Sequence, residues 1–390
     1  MIYMDNAATT PMDEEVIETM AEVMRRYYGN PSSLHRVGID AELLVRRARE
    51  TISEALGCRP EEIRFTSGGT ESNNLAIRGA ALRYRSRGNH LITTEIEHAS
   101  VYEPFRKLES EGFKVTYLPV DASGAVSADA VRQALTDETI VVSVMHVNNE
   151  TGRIQPVGEI GALLREYPKV VFHVDAVQGI GKLPVNPVRD GIDLMTCSPH
   201  KLHGPKGTGF LYCRSGVELE PLLLGGGQER GLRSGTENVP ALVGMAKSVR
   251  KAVERQPQFM EHTTAIRERI VSCIAGIEEL VLIGPKDAAT GKMAPHIVHF
   301  AYPGMKSEVI VHALEQRGIC VSTRSACSSG ADKPSRVLQA MGLPRPVASS
   351  GIRISYTLQQ SLEDADALCA ALQDAVASLK PSAAEPNGRR

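Results

Sequence analysis

Three short segments of this chain carry residue types spaced for chemistry. The first is TSGGTESNN, residues 66–74, where a strand pattern runs into Ser67-Gly68-Gly69-Thr70 and a helical pattern follows at once. Glycines let the backbone approach an anion, a helix N-terminus supplies N–H groups and the positive end of its dipole, and Thr70 adds a hydroxyl; together they suit a phosphate. An ordinary glycine turn capped by Thr70 explains the same residues, and the segment by itself favours that explanation. The second, FHVDAVQG over 172–179, ends an apolar run on Asp175, at the carboxyl end of a strand, where open α/β sheets bind ligands. An acid there can serve a protonated ring nitrogen, help hold a metal, or cap a helix. The third, CSPHKLHGPKGTG over 197–209, sets Lys201 directly after a strand and beside His200. A lysine on such a rigid strand end is a candidate Schiff-base former, or else a solvated loop lysine.

The three make more sense together than apart. A phosphate cradle, an acid placed for a pyridinium nitrogen and a Schiff-base lysine are the parts that pyridoxal 5'-phosphate requires. Each falls at the carboxyl end of a different strand of one sheet. His98, in TEIEHAS, could then lie on the ring face, although a lone histidine also reads as structural; Asn149, in MHVNNETG, could reach the ring hydroxyl. A fourth segment, VSTRSACSSGADKPS over 321–335, sets Cys327 in a run of small polar residues without strand or helix pattern. Exposed thiols are normally avoided, which separates Cys327 from the other cysteines, with a tolerated surface thiol as the alternative.

The elements that must hold these residues follow from periodicity. Strands are predicted at Ile63–Thr66, His90–Thr94, Lys114–Leu118, Ile140–Met145, Val170–Val174, Leu194–Cys197 and Gly209–Leu211, with helical patterns at Asn73–Arg85, Val101–Glu111 and Gly158–Glu166. This alternation predicts an α/β fold with a mostly parallel, mixed sheet and helices on both faces. Helical patterns at Val239–Glu254 and Phe259–Gly276, punctuated by Pro257, lead to a second, smaller α+β unit. That unit has strand patterns at Val281–Ile283, His296–Phe300 and Ile352–Tyr356, and helices at Ser307–Arg317 and Leu362–Leu379. The expected division is a large domain over 15–258, a small one from 1–14 with 259–380, and a disordered tail over 381–390.

Composition narrows the function classes. The chain has 390 residues, 42% hydrophobic and 23% charged, as an ordinary soluble enzyme does. A formal charge of -2 argues against a phosphate-tracking nucleic-acid binder. No run approaches the ~18 apolar residues of a membrane helix, and MIYMDNAATTP lacks a signal-peptide pattern, so a cytoplasmic protein is expected. The 7 cysteines form no C-x-x-C pair, which supports neither a zinc knuckle nor a disulfide framework and suggests mostly small buried hydrophobes.

MDNAATTP, YGNPSSLH, FTSGGTESNN, EHAS, NNETG, HVDAVQ, the S-P-H-K block, GGGQERGLRSGTENV and RSACSSG run in order from end to end. This ordered set resembles the cysteine desulfurases of the NifS/IscS type, fold-type I pyridoxal phosphate enzymes of the class V aminotransferase group. The resemblance spans nearly the whole chain except the tail, and it implies pyridoxal 5'-phosphate as cofactor, L-cysteine as substrate and a homodimer. It implies Lys201 as the Schiff-base lysine, Asp175 as partner of the pyridinium nitrogen and His98 as the stacking residue. Gly69, Thr70, Ser198 and His200 match the phosphate-binding set, with Thr236 supplied by the second subunit. Asn149 and Gln178 match contacts to the ring oxygen, and Arg353 the arginine that pairs with the substrate carboxylate. Cys327, on a loop of the longer type, is implied to take the sulfur as a persulfide for an acceptor protein such as an iron–sulfur scaffold or a tRNA thiolase. It is also implied as a possible transient ligand of an iron–sulfur cluster; no resident metal, direct nucleic-acid contact or membrane contact is expected.

Two positions depart from the pattern: Arg324 stands where relatives commonly have glycine, and Pro199 replaces a small residue and removes a backbone donor near the phosphate site. A selenocysteine lyase or an aminotransferase of the same fold is the nearest alternative, and a sulfur-transfer scaffold without catalysis a more distant one.

Overall fold

The computed structural model describes residues 1–285, 291–323 and 334–379. Arg324 and Cys327, and the expected tail over 381–390, lie outside the described residues. Along the chain the strands are β1 (Ile2–Tyr3), β2 (Ile63–Thr66), β3 (His90–Thr94), β4 (Lys114–Leu118), β5 (Thr139–Ser143), β6 (Val171–Asp175), β7 (Leu194–Cys197), β8 (Gly209–Cys213), β9 (Val281–Leu282), β10 (Ile297–Ala301), β11 (Ile319–Cys320) and β12 (Gly351–Ser355). The helices are α1 (Glu14–Arg26), α2 (Arg36–Leu56), α3 (Gly69–Arg83), α4 (Ala99–Ser110), α5 (Ala128–Ala134), α6 (Val157–Leu164), α7 (Val239–Glu254), α8 (Gln256–Ala275), α9 (Ser307–Glu315), α10 (Arg336–Ala340), α11 (Arg345–Ala348) and α12 (Leu362–Leu379).

A seven-stranded sheet in the order β2-β8-β7-β6-β5-β3-β4 organises the molecule. Only β8 runs against its neighbours, so β2, β7, β6, β5 and β3 all release their carboxyl ends at one edge. Strands β3, β5 and β6 are buried along their whole length, as near-continuous apolar runs should be when helices cover both faces. Alternation sends successive side chains to opposite cores. Ile92, Val142 and Phe172 join the side covered by α2 and α7, and Leu91, Val141 and Val171 the side of α3 and α4. A third core surrounds the antiparallel sheet β12-β10-β9, where Val298, Phe300, Ile352 and Ile354 meet Ile266, Ile270 and Leu368 from α8 and α12.

The structure moves some expected boundaries, and one matters to the site. Helix α3 begins at Gly69, four residues ahead of the pattern start at Asn73, so the glycine turn is itself the first helical turn. Gly68 makes this possible at φ 154°, ψ -178°, a conformation open in practice only to glycine. Pro257 opens α8 from within its first turn and does not separate two helices, because that position needs no N–H. Helices α1 and α2 fill a region that the sequence patterns leave unassigned. Among the described cysteines, Cys197 and Cys213 are buried, and Cys58, Cys273, Cys320 and Cys369 are half-buried, Cys58 and Cys273 packing against the hydrophobic cores.

Candidate active site

At the carboxyl edge of the large sheet lies a cavity of about 180 Å³. It is lined by Gly69, Thr70, His98, Asn149, Asp175, Gln178, Ser198, His200, Lys201 and Arg353. The topology therefore brings together residues drawn from five strand ends and from β12. Thr236 is not among them; it is exposed on the segment ahead of α7.

Asp175 is the last residue of β6, and two hydrogen bonds hold its carboxylate. The N–H of Val177 donates to Oδ1 at 3.0 Å, and Asn73 Nδ2 donates to Oδ2 at 2.8 Å. The same amide donates to Ser100 Oγ at 2.8 Å, and Ser100 stands 2.8 Å from His98 Nδ1. His98 caps α4, its Nδ1 accepting the N–H of Ser100 at 3.1 Å. With Nδ1 an acceptor, the ring proton sits on Nε2. Burial, reinforced by the cations Lys201, Arg336 and Arg353 against the pull of Asp175, lowers the His98 pKa and favours that neutral ring.

Lys201 ends the single 3₁₀ turn Pro199–Lys201 after β7. Its Nζ donates to the carbonyls of Ala7 and Ala8 at 2.6 and 2.5 Å, which tethers the amine to the N-terminal segment at the cavity wall. Pro199 opens that turn, where its missing N–H is not called on, so the departure noted in the sequence leaves the local backbone satisfied. His200, its Nδ1 3.2 Å from Thr9 Oγ1, is pushed by burial and nearby lysines down to about 4 and stays neutral.

Arg353 lies at the centre of β12 and is 1% exposed. Nη2 donates to Asp5 Oδ1 at 2.9 Å and Nη1 to the carbonyl of Asn149 at 2.8 Å, while Nε is buried and has no partner among the described residues. Such a group retains both charge and hydrogen-bonding capacity for an incoming carboxylate. Its backbone pairs with Ser322 at 2.8 and 3.1 Å, immediately ahead of the segment that carries Cys327. Beyond that segment Ser335 Oγ donates to Glu150 Oε2 at 2.6 Å, and the Arg336 guanidinium donates to the carbonyls of Glu95 and Glu97.

Sequence reasoning missed Asn73, Ser100 and Asp5, all of which position the expected residues. Asn73 was detectable, standing one helical turn after Gly69 and so on the same face of α3. It also missed Glu97. This carboxyl is wholly buried, accepts from Thr94 Oγ1 at 2.9 Å and the N–H of Met145 at 2.8 Å, and is pushed by burial up to about 8. The folded protein thus holds a proton that the unfolded chain releases near 4.5, so this contribution is full below pH 4.5 and is lost as pH rises toward 8. Glu97→Gln is expected to remove that loss, raising stability at pH 8 by about 2–4 kcal/mol with little change at pH 5. Urea unfolding of both proteins at the two pH values checks it; an equal difference at each would contradict it.

The aminotransferase class-V family model matches residues 2–368. The cysteine desulfurase IscS of Clostridium botulinum is 44% identical over 94% of this chain and 91% of its own. A solved NifS-like protein superposes with a TM-score of 0.90 at 38% identity, covering 97% of this chain and 100% of that one. A structure of SspA in complex with cysteine gives 0.78 at 36%, over 91% and 98%. With a family model spanning nearly the whole chain and relatives matched end to end, the chain belongs to the class-V aminotransferase family and, within it, to the IscS/NifS homologues.

Proposed function

We propose that the chain is a cysteine desulfurase that uses pyridoxal 5'-phosphate, converting L-cysteine to L-alanine and leaving the sulfur as a persulfide on Cys327. The observation that carries this reading is the convergence of Asp175, Lys201, His98 and Arg353 on one cavity from four separate elements. The residues fit the cofactor. The first turn of α3 has no side-chain cap, and Ser198, His200 and Thr70 surround it, which suits a phosphate. A Cβ on Gly69 would stand 3.2 Å from Val177 Cγ2 and 3.5 Å from Ser198 Cβ, so a larger residue would crowd the cradle. Asp175, fixed by Asn73 and Val177, suits a protonated ring nitrogen, and neutral His98 suits a ring face.

When bound, the cofactor supplies an aldehyde that bonds amines and a ring that accepts the electron pair left by a departing α-proton. The chain does the rest. Lys201 Nζ holds the cofactor at rest and carries the substrate α-proton once freed. Arg353 orients the substrate carboxylate, and Asn149 and Gln178 hold the ring oxygen. The Cys327 thiolate forms the S–S bond as the substrate C–S bond breaks, so alanine leaves carrying hydrogen in place of sulfur. Thr236 of a second copy completes the phosphate site, which makes the working unit a homodimer. The large and small domains meet at this cavity, and Cys327 delivers its sulfur to an acceptor protein, with cytoplasmic residence. No helix among the described residues is long and apolar enough to cross a membrane.

The test is an absorbance spectrum before and after L-cysteine, with alanine and dithiothreitol-releasable sulfur assayed in parallel. A visible band that shifts, with alanine and protein-bound sulfur appearing, is expected; Cys327→Ala should keep the band and lose both products. A band without alanine would move the reaction to another substrate. Arg353→Lys keeps the charge but loses the planar fork, so KM for L-cysteine should rise about 30- to 100-fold with kcat less affected. An unchanged KM would remove Arg353 from the substrate site.

A further inference from the structure

Behind the cavity, on the turn that follows β6, stands a second lysine to which the reaction gives no task. Lys182 is 3% exposed, and among the described residues no carboxylate is paired with it. The groups whose charges couple to it are Lys201, Arg353, His200, His203 and His296, all cations when charged, and the thiol of Cys197, while Asp13, Lys251 and Arg255 share the second cavity that it lines. Burial, with the charge of Lys201, pushes its amine down to about 7. An aliphatic side chain would fill this space without that cost.

What the amine does there is specific. Lys182 Nζ donates to Gln178 Oε1 at 3.0 Å, and Gln178 Nε2 donates to the carbonyl of Ala7 at 3.0 Å. That carbonyl is also the one that holds Lys201. In its protonated form the amine only donates, so it then fixes which end of the amide is oxygen. With the oxygen turned to Lys182 and one N–H to Ala7, the second N–H of Nε2 is the group Gln178 has left for the cavity it lines.

We propose that Lys182 is a positioning residue for the reaction: it clamps Gln178 so that the amide presents an N–H, and not its carbonyl, to the cofactor's ring oxygen. The inference rests on the reading of Lys201 and Gln178 given above. An N–H aimed at an anionic oxygen stabilises it, whereas a carbonyl turned the same way repels it. The clamp therefore lowers the pH at which the visible band of the cofactor-loaded protein titrates.

The experiment is a pH titration of that band in the wild type, Lys182→Met, Gln178→Met and the double variant, with circular dichroism of each. Lys182→Met should raise the midpoint by about one pH unit. In the Gln178→Met background it should add nothing, because its effect passes through that amide. An unchanged midpoint in a folded Lys182→Met protein would overturn the proposal. So would an equal shift in both backgrounds, since the lysine charge would then act without Gln178. If Lys182→Met does not fold, Gln178→Glu decides: replacing the N–H by a carboxylate oxygen should raise the midpoint beyond Gln178→Met, and a shift no larger would refute the clamp. A wild-type protein that shows no visible band when supplied with the cofactor would instead count against the cofactor reading.

Discussion

Lys201→Ala is expected to abolish the reaction while leaving the fold intact. The substitution removes the amine held by the Ala7 and Ala8 carbonyls, both at the wall of an open cavity where water can replace it. Stability should therefore change by less than about 1 kcal/mol. Activity should not survive, because the same nitrogen is assigned the cofactor bond and the proton transfer. Loss of a positioned acid–base group alone costs about 10²–10⁴-fold, and loss of the covalent role adds to it. Alanine formation is thus expected to fall at least about a thousandfold. Lys201→Arg should not restore it, since a guanidinium stays protonated at any pH the protein tolerates. Turnover within tenfold of wild type in Lys201→Ala would refute the assignment of Lys201.

Acidification is the second large effect. His146, His173 and His299 are wholly buried and lowered by burial to about 4, 3 and 3, and His296 lies well below its ordinary 6.5. His173 is satisfied by Ser143 and Thr196; among the described residues neither ring nitrogen of His296 has a partner, and His299 has only the Glu150 backbone to offset its burial, so a proton on either is poorly solvated. The unfolded chain binds protons near pH 6.5 and the folded one does not. The stability these groups contribute is therefore present above pH 6.5 and is lost as pH falls toward about 4 for His146 and about 3 for His173 and His299. Each costs about 1.4 kcal/mol per pH unit once the unfolded form is protonated, so the four together give a slope of roughly 5 kcal/mol per unit. Against a total stability of about 5–15 kcal/mol, unfolding should begin between about pH 5 and 4. Denaturant midpoints from pH 4 to 8 measure the slope, and His299→Leu should lower it by about one proton. A flat profile over pH 4–6.5 would show that these rings are not buried as neutral groups.

Much of the site is legible in the sequence because its main parts are local. Apolar runs locate the strands, and Asp175, Lys201 and the Ser67–Thr70 turn each follow one directly, so a parallel sheet must deliver them to one edge. The start of α3 was less legible, since only the backbone angles of Gly68 show that the glycines belong to the helix. Tertiary structure alone decided the contacts between distant segments. Asp5 meets Arg353 across 348 positions, Lys201 is held by carbonyls more than 190 positions away, and Asn73 reaches Asp175 across 102. No periodicity carries such pairings, because it records which face of an element is buried and not what packs against it. Lys182 shows the limit most clearly: in the sequence it is one of 44 basic residues, and only its burial against Gln178 distinguishes it from a solvated side chain.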